Sequence, residues 1–447
     1  ERELTLKVSM SYGPGRYDPE YEERGHDYPF AYVRWTEGRN LEAFLDLVAV
    51  GSVRVAPLIT HRFAIEDGER AYNLIAGETK EPYLGVVLGY DTERELARSI
   101  ERRPSDTQAG RASGAEMRIG MIGAGSYAQK FLLPNFKANG AAFHAIATAS
   151  GISAHGIGEK YDFARVVASA EDVITDDAAN LIVIATRHDS HAPLARRALD
   201  AGRHVFVEKP LALCDEELDG VLEAARASGG QLMVGYNRRF SPHARACAES
   251  FAARREPLSI LYRVNAGRIP RTHWIQDPRE GGGRIIGEVC HFIDLMHFLT
   301  GAVTTRVYAE RVTSRNEEIV DEDSIFVTLR FSDGSNGQIA YLAEGDRALP
   351  KERIEVFGGG KTFVIEDFRS ATLYEGGRAR SQMKLRAQDK GQAAEVRALC
   401  AMVRANVPAP IALHDLAATT RATFRIRDSL RAGQPMQVTG DEENRES

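Results

Sequence analysis

Three groups of residues in this chain have types and spacing that could act together. The first is the turn Ile122-Gly123-Ala124-Gly125-Ser126-Tyr127-Ala128, which follows an apolar run from Met117 to Ile122. A Gly-x-Gly-x-x-Ala pattern between a strand and a helix suits a pyrophosphate. Gly123 permits the tight turn, Gly125 lets backbone approach the phosphates, and Ala128 keeps the helix close to the sheet, its N-terminus facing them. A glycine-rich turn with no ligand is the plainer alternative. The second group is Val205-Phe206-Val207-Glu208-Lys209-Pro210. It puts an ammonium at the exit of a strand, where α/β sheets bind ligands. Beside a cationic nicotinamide such a lysine should have a lowered pKa and could act as an electrophile or proton shuttle; otherwise it is a surface lysine. The third is the helical stretch from Gly281 to Leu299, which opens with three glycines and carries His291, an imidazole suited to general-base work near neutral pH. A histidine packed between domains is the competing account of His291. Together the first two groups put a fixed ammonium where a nicotinamide ring could lie, which points to hydride transfer.

These groups need a scaffold, and the apolar patterning supplies one. Strands are expected at Arg118–Ile122, Phe143–Ala147, Leu181–Ala185, His204–Val207 and Gln231–Gly235, alternating with helices such as Tyr127–Ala138, the signature of β-α-β units and a parallel sheet. From Leu258 strands dominate: Ile260–Asn265, Arg306–Arg311, Ile325–Phe331, Gly337–Leu342, Ile354–Phe357 and Thr362–Ile365. The fold class is therefore α/β: a Rossmann domain over 116–237, followed by an α+β domain with a mostly antiparallel open sheet over 238–438. Residues 1–95 read as a partial α/β segment, with a strand at Leu4–Met10, helices at Asn40–Val50 and Ile65–Ala76 and a strand near Leu84–Leu88. Residues 96–115 are polar and turn-rich, as in a linker, and the charged tail 439–447 reads as disordered.

Composition narrows the partners. The chain has 447 residues, is 43% hydrophobic and 27% charged, and carries a formal net charge of -6. No basic field argues for nucleic acid, and no basic amphipathic stretch or long apolar run argues for a membrane. Cys214, Cys247, Cys290 and Cys400 form no Cys-x-x-Cys pair, which suggests a reducing, cytoplasmic setting and no structural zinc. Glu288, His291 and Asp294 have helical spacing, but zinc needs more ligands, so no metal is expected. The opening Glu-Arg-Glu-Leu-Thr-Leu has no initiator Met and reads as though the chain begins partway through something larger. The second strand ends Ala147-Thr148-Ala149-Ser150-Gly151, without the carboxylate that usually binds an adenosine 2′-hydroxyl; Ser150 leaves room for a 2′-phosphate, so NAD and NADP both stay open.

Further segments make the likeness specific: Val183-Ile184-Ala185-Thr186-Arg187-His188-Asp189-Ser190-His191, Ala201-Gly202-Arg203-His204 leading into the Glu-Lys-Pro run, Gly235-Tyr236-Asn237-Arg238-Arg239-Phe240, Trp274, Asp277-Pro278, Gly281-Gly282-Gly283, His291 and Asp294. In this order they resemble the glucose–fructose oxidoreductase / inositol dehydrogenase (Gfo/Idh/MocA) family over residues 117 to about 438. The resemblance implies that Lys209 contacts substrate hydroxyl and cofactor, that the Lys209–Pro210 bond is cis, and that Glu208 supports the lysine. It implies that Gly123, Gly125, Ser126, Tyr127, Ala128, Ser150, Thr186 and His191 border the cofactor, although His191 is equally read as a helix-capping or surface residue. Family members commonly carry an Asp four residues before this histidine; here that position is Gly287, and Glu288 is the nearest acid, expected to share a face with His291 and form its relay partner. Arg238, Arg239, Arg271, His273 and Asp294 are expected around the substrate, where the cations could bind a carboxylate or phosphate, with a solvated basic rim as the alternative for them. Tyr12–Asp18, Pro57–Phe63 and Ala71–Ile75 resemble the C-terminal end of zinc-type medium-chain alcohol dehydrogenases, without that family's zinc or cofactor parts, and His61 is then structural. The resulting expectation is an NAD(P)-dependent oxidoreductase acting on a secondary hydroxyl or ketone of a sugar, sugar nucleotide or cyclitol, as a homo-oligomer. A non-catalytic cofactor-binding sensor and an NAD-using glycosidase on the same fold are the alternatives.

Overall fold

The computed structural model describes residues 12–92, 99–101, 117–316, 318–405 and 407–438. The expected strand at Leu4–Met10, most of the linker at 96–115 and the tail from 439 lie outside the described residues. The chain forms two compact units, Glu1–Leu96 and Ala97–Ser447. The first contains helices Glu37–Ala49 and Gly68–Ile75 and a parallel strand pair, β1 (Ile59–Ala64) and β2 (Gly85–Gly89). Its buried apolar side chains, among the described residues, are Ala71 and Leu74. The helix Glu37–Ala49 buries none, leaving Leu41, Phe44, Leu45 and Leu47 exposed.

The second unit opens on a sheet of β3 (Ser99–Glu101), β4 (Arg118–Ile122), β5 (Ala142–Ala147), β6 (Arg165–Val167), β7 (Leu181–Ile184), β8 (His204–Val207) and β9 (Leu232–Val234), in the order β3-β6-β5-β4-β7-β8-β9. Helices cover both faces, so β7 (Leu-Ile-Val-Ile) is buried at every position and shows no alternation. All neighbours are parallel except β3. β3 corrects the linker expectation: Ile100 pairs with Val166 and Glu101 with Arg165, extending the sheet at its edge. Strand order reverses between β4 and β7, which opens a crevice at their carboxyl ends, where ligands bind in such sheets.

A second sheet follows: β10 (Ser259–Asn265), β11 (Thr304–Arg311), β12 (Ile325–Phe331), β13 (Asn336–Leu342), β14 (Glu352–Gly358), β15 (Lys361–Glu366), β16 (Ser370–Glu375), β17 (Arg378–Lys384) and β18 (Met436–Gln437). Its order is β17-β16-β15-β14-β10-β13-β12-β11-β18, antiparallel except for β10 with β13. One face is packed: Ile325, Val327, Leu329 and Phe331 alternate inward and meet Phe292, Ile293 and Met296 of the helix Cys290–Thr300 in one core. That helix is entered through a wider π turn, Ile285–Val289, and stopped by Gly301 at φ +69°.

Candidate functional site

A cavity of about 1200 Å³ opens at the crevice, and its lining unites segments far apart in sequence: Gly123, Gly125, Ser126, Tyr127, Ala128, Ser150, Thr186, His191, Glu208, Lys209, Glu288 and His291. The chain leaves β4 at Gly123 with φ +77°, and a Cβ there would lie 2.6 Å from the Ala185 carbonyl oxygen, so only glycine fits. A Cβ on Gly125 would meet nothing within 4 Å. Gly125 thus presents bare backbone to an open cradle, and Ala128 is buried against the sheet behind it. The residues fit a dinucleotide pyrophosphate. Beyond β5 the lining consists of Thr148, Ala149, Ser150 and Ser153, without a carboxylate. Arg187 also lines the cavity, but its guanidinium is bonded to Glu280 and lies 5.5 Å from the Trp274 ring.

Lys209 leaves β8 through a cis peptide to Pro210, and its Nζ donates to the Gly287 carbonyl oxygen at 2.7 Å. That bond ties it to the segment bearing His291, although the two residues are 82 positions apart. His291 is 9% exposed; its Nδ1 is sealed from solvent and has no partner among the described residues. Burial, reinforced by the charges of Arg238, Lys209, Lys390 and Lys351, pushes its pKa well below the ordinary histidine value, so the ring is neutral and able to accept a proton. Glu208 is buried next to the lysine with Oε1 unpartnered among the described residues, and burial raises its carboxyl to about 7 against the pull of Lys209. Both carboxylate oxygens of Glu395, on the helix Gln392–Ala405, are buried and likewise have no hydrogen-bond partner among the described residues; burial and the proximity of Glu208 raise that acid.

Several expected roles are corrected. Glu288 does not pair with His291: its carboxylate meets Arg284 Nε at 3.2 Å and Lys351 Nζ at 3.6 Å. Burial works to raise its pKa, but Lys351, Arg284 and Lys209 outweigh it and hold the group ionised. The expectation assumed 3.6 residues per turn, whereas Glu288 lies in the π turn, which rotates it away from an α-helical register. Arg239 and Asp294 are buried on each other, Arg239 Nε donating to the carboxylate at 3.0 Å, and neither lines the cavity. Arg238 reaches the cavity, but its guanidinium makes a bidentate pair with Glu352 at 2.9 Å for each bond. Tyr262 and Lys390 donate to the same carboxylate, which leaves Arg238 no free charge for a substrate. Arg271 is exposed outside this cavity and donates to the Ile319 carbonyl at 3.3 Å, and His273 is also exposed. The ring nitrogens of His191 face the Pro210 carbonyl at 2.8 Å and the Thr186 carbonyl at 3.2 Å, and burial lowers its pKa to about 4. Its ring braces the turn after β7 against the proline that follows Lys209.

Sequence reasoning gave no role to His188, Lys351, Lys390 or Gln392, all of which line the cavity. Lys351 and Lys390 precede elements remote from the glycine turn and carry no local signal. His188 stands within the run Val183–His191 that supports the family likeness. Its Nδ1 donates to the Gly281 carbonyl at 2.7 Å, and its ring meets Trp274 edge-on at 4.8 Å. No group of three or more acids, histidines or cysteines suited to a metal occurs among the described residues.

Comparison with known proteins adds independent support. Residues 117–236 match the model of the Gfo/Idh/MocA oxidoreductase family, NAD-binding Rossmann fold, and residues 256–364 match the Gfo/Idh/MocA C-terminal domain. The myo-inositol 2-dehydrogenase of Thermotoga maritima is 26% identical over 260 residues, 58% of this chain and 77% of that protein. An uncharacterised oxidoreductase of Bacillus subtilis, YrbE, is 27% identical over 220 residues, 48% of this chain and 63% of its own length. Among solved structures, a levoglucosan dehydrogenase in complex with NADH and levoglucosan superposes with a TM-score of 0.63 at 19% identity, covering 73% of this chain and 100% of that one. An aldose-aldose oxidoreductase from Caulobacter crescentus does so with a TM-score of 0.63 at 20% identity, covering 72% and 99%. At these identities the superpositions establish the fold.

Proposed function

Since this chain belongs, through its two matched domains, to the Gfo/Idh/MocA family of oxidoreductases, we propose that it is an NAD(P)-dependent dehydrogenase or reductase acting on a secondary hydroxyl or ketone of a sugar, sugar nucleotide or cyclitol. The observation that carries this reading is that Lys209 and His291 both line the cavity that begins at the glycine turn, with the Lys209 ammonium bonded to the Gly287 carbonyl four residues before the histidine. When bound, the nicotinamide supplies the hydride acceptor or donor. Lys209 places an ammonium beside the reacting oxygen and stabilises negative charge as it develops there. His291, neutral in its buried site, takes the hydroxyl proton during oxidation and returns it during reduction. Glu288, kept anionic by Arg284 and Lys351, contributes a fixed negative charge to the lining and takes no part in proton transfer. The names of relatives, among them inositol and aldose-class enzymes, favour a polyol over a simple alcohol. The test is reduction of NAD or NADP with a sugar and cyclitol panel by wild type, Lys209→Ala and His291→Ala. We expect losses of about 10²–10⁴-fold in kcat with NADH binding retained; unchanged rates would remove both assignments.

Finer features belong to the same reading. The hydroxyl-lined end of β5 admits NADP as well as NAD. The outer face of the large sheet exposes Leu261, Phe326, Phe357 and Tyr374, which supports self-association through that face. The four cysteines are free, as suits a cytoplasmic enzyme. The first unit, with its sparse core, is compatible with a segment derived from a medium-chain dehydrogenase.

A further inference from the structure

Position 287 and His188 form one feature of the cavity wall. A Cβ built on Gly287 would lie 2.9 Å from His188 Cε1 and 3.4 Å from its Nδ1. The imidazole cannot swing aside cheaply, because Nδ1 donates to the Gly281 carbonyl at 2.7 Å and the ring abuts Trp274 at 4.8 Å. The ring therefore fills the volume that any side chain at 287 would need. The Gly287 carbonyl receives Lys209 Nζ at 2.7 Å, and Lys209 and His188 line the same cavity, close enough for the lysine charge to act on the imidazole.

The hydrogen bond to Gly281 also fixes the tautomer. A carbonyl can only accept, so Nδ1 carries the proton and Nε2 carries the lone pair. Burial and the neighbouring Lys209 charge lower the pKa of His188 to about 3, which keeps it neutral. His188 lines the cavity, and among the described residues its Nε2 has no protein partner and is not sealed off.

We propose that His188 is a specificity-determining residue whose Nε2 accepts a hydrogen bond from a substrate hydroxyl next to the reacting carbon, so that the site selects vicinal diols over mono-alcohols. The proposal rests on the polyol oxidoreductase reading above. An uncharged acceptor held by a carbonyl and an indole discriminates because a substrate lacking that hydroxyl leaves a polar atom unpaired in a confined site.

Two measurements decide it. The first is binding of myo-inositol, D-glucose and D-xylose, each against a monodeoxy analogue lacking one hydroxyl next to the reacting carbon, to the protein–NADH complex, read by NADH fluorescence. Wild type should favour at least one parent polyol by about tenfold. His188→Phe, which keeps a ring against Trp274 and removes the acceptor, should bring that ratio within twofold while leaving NADH affinity unchanged. A ratio that His188→Phe does not move overturns the proposal but leaves the oxidoreductase reading standing. NADH binding with no affinity for any of these polyols removes the polyol reading and the proposal with it. The second measurement is thermal stability. Gly287→Ala should lower Tm in wild type, where the new Cβ strikes His188, and raise it in His188→Ala, where helix propensity is the remaining effect. The same sign of change in both backgrounds would show that the imidazole does not occupy this space.

Discussion

The Glu208→Gln substitution isolates a buried carboxyl whose energetics follow from its surroundings. Glu208 sits within the protein with Oε1 unpartnered, near a second orphaned acid, Glu395, and burial raises its pKa from 4.5 to about 7. The sign follows from proton counting. Between pH 4.5 and 7 the folded state holds a proton that the unfolded state has released, so stability falls as pH rises through this window and levels off above it. A difference of about 2.5 pH units at 1.36 kcal/mol each gives about 3 kcal/mol lost between pH 4 and pH 8. Glutamine cannot ionise and removes that slope. Urea unfolding of the cofactor-free protein, wild type against Glu208→Gln, at pH 4.5, 6, 7 and 8.5 is the assay. All other titrating groups are shared, so the difference between the curves reports on Glu208 and on its coupling to Glu395. The variant should gain on wild type by about 3 kcal/mol from the lowest pH to the highest. A difference that stays flat across the series would refute the placement of an unpaired acid beside Lys209.

Asp294→Ala strands the buried Arg239 guanidinium and should cost about 3–5 kcal/mol in denaturant unfolding, whereas Arg271→Ala, at an exposed site, should change stability by less than about 0.5 kcal/mol. Gly123→Ala puts a Cβ 2.6 Å from the Ala185 carbonyl at φ +77°, so it should destabilise by about 1–3 kcal/mol and abolish detectable NADH binding by fluorescence titration. Because the pKa of His291 is depressed, the acid limb of kcat/KM for alcohol oxidation should lie below pH 6.5; a limb above 7 would mean that another group is the base. Phe326→Glu on the outer sheet face should shift the protein to a smaller species in light scattering if that face joins subunits.

What could be read from the chain was what is local. The parallel strands of the first sheet are apolar at nearly every position, and the glycine turn and the Glu-Lys-Pro run lie directly at strand ends, so composition alone located them. Some of the elements that escaped are short or polar, but the strand Ser370–Glu375 and the helices Gln392–Ala405 and Leu413–Ala432, which are neither, also went unnamed. Arg165–Val167 and Ser99–Glu101 have three residues each, and Arg378–Lys384 is exposed at all but one position and offers no alternation to detect. In the site, the misjudged residues were those whose partners are remote. Arg238 and Glu352 are 114 positions apart, and Arg239 and Asp294 55, so nothing nearby in sequence announced that these charges are already matched. The π turn was equally hidden, since Ile-Ile-Gly-Glu-Val reads as ordinary helix, and with it went the reason Glu288 turns from His291. His188 was visible as a letter, but its role depends on a contact with a glycine that has no side chain to suggest one.

The ammonium of Lys209 is anchored by a main-chain oxygen at 287, an atom that every amino acid possesses. No codon change can delete that acceptor, so evolution can alter this corner only through shape. The identity at 287 is free to drift only as far as the neighbouring imidazole retreats, and a lineage that shrank residue 188 first would gain room for a new functional group there without losing its grip on the lysine. Such an order of steps would let substrate preference diverge while the amine stays in place.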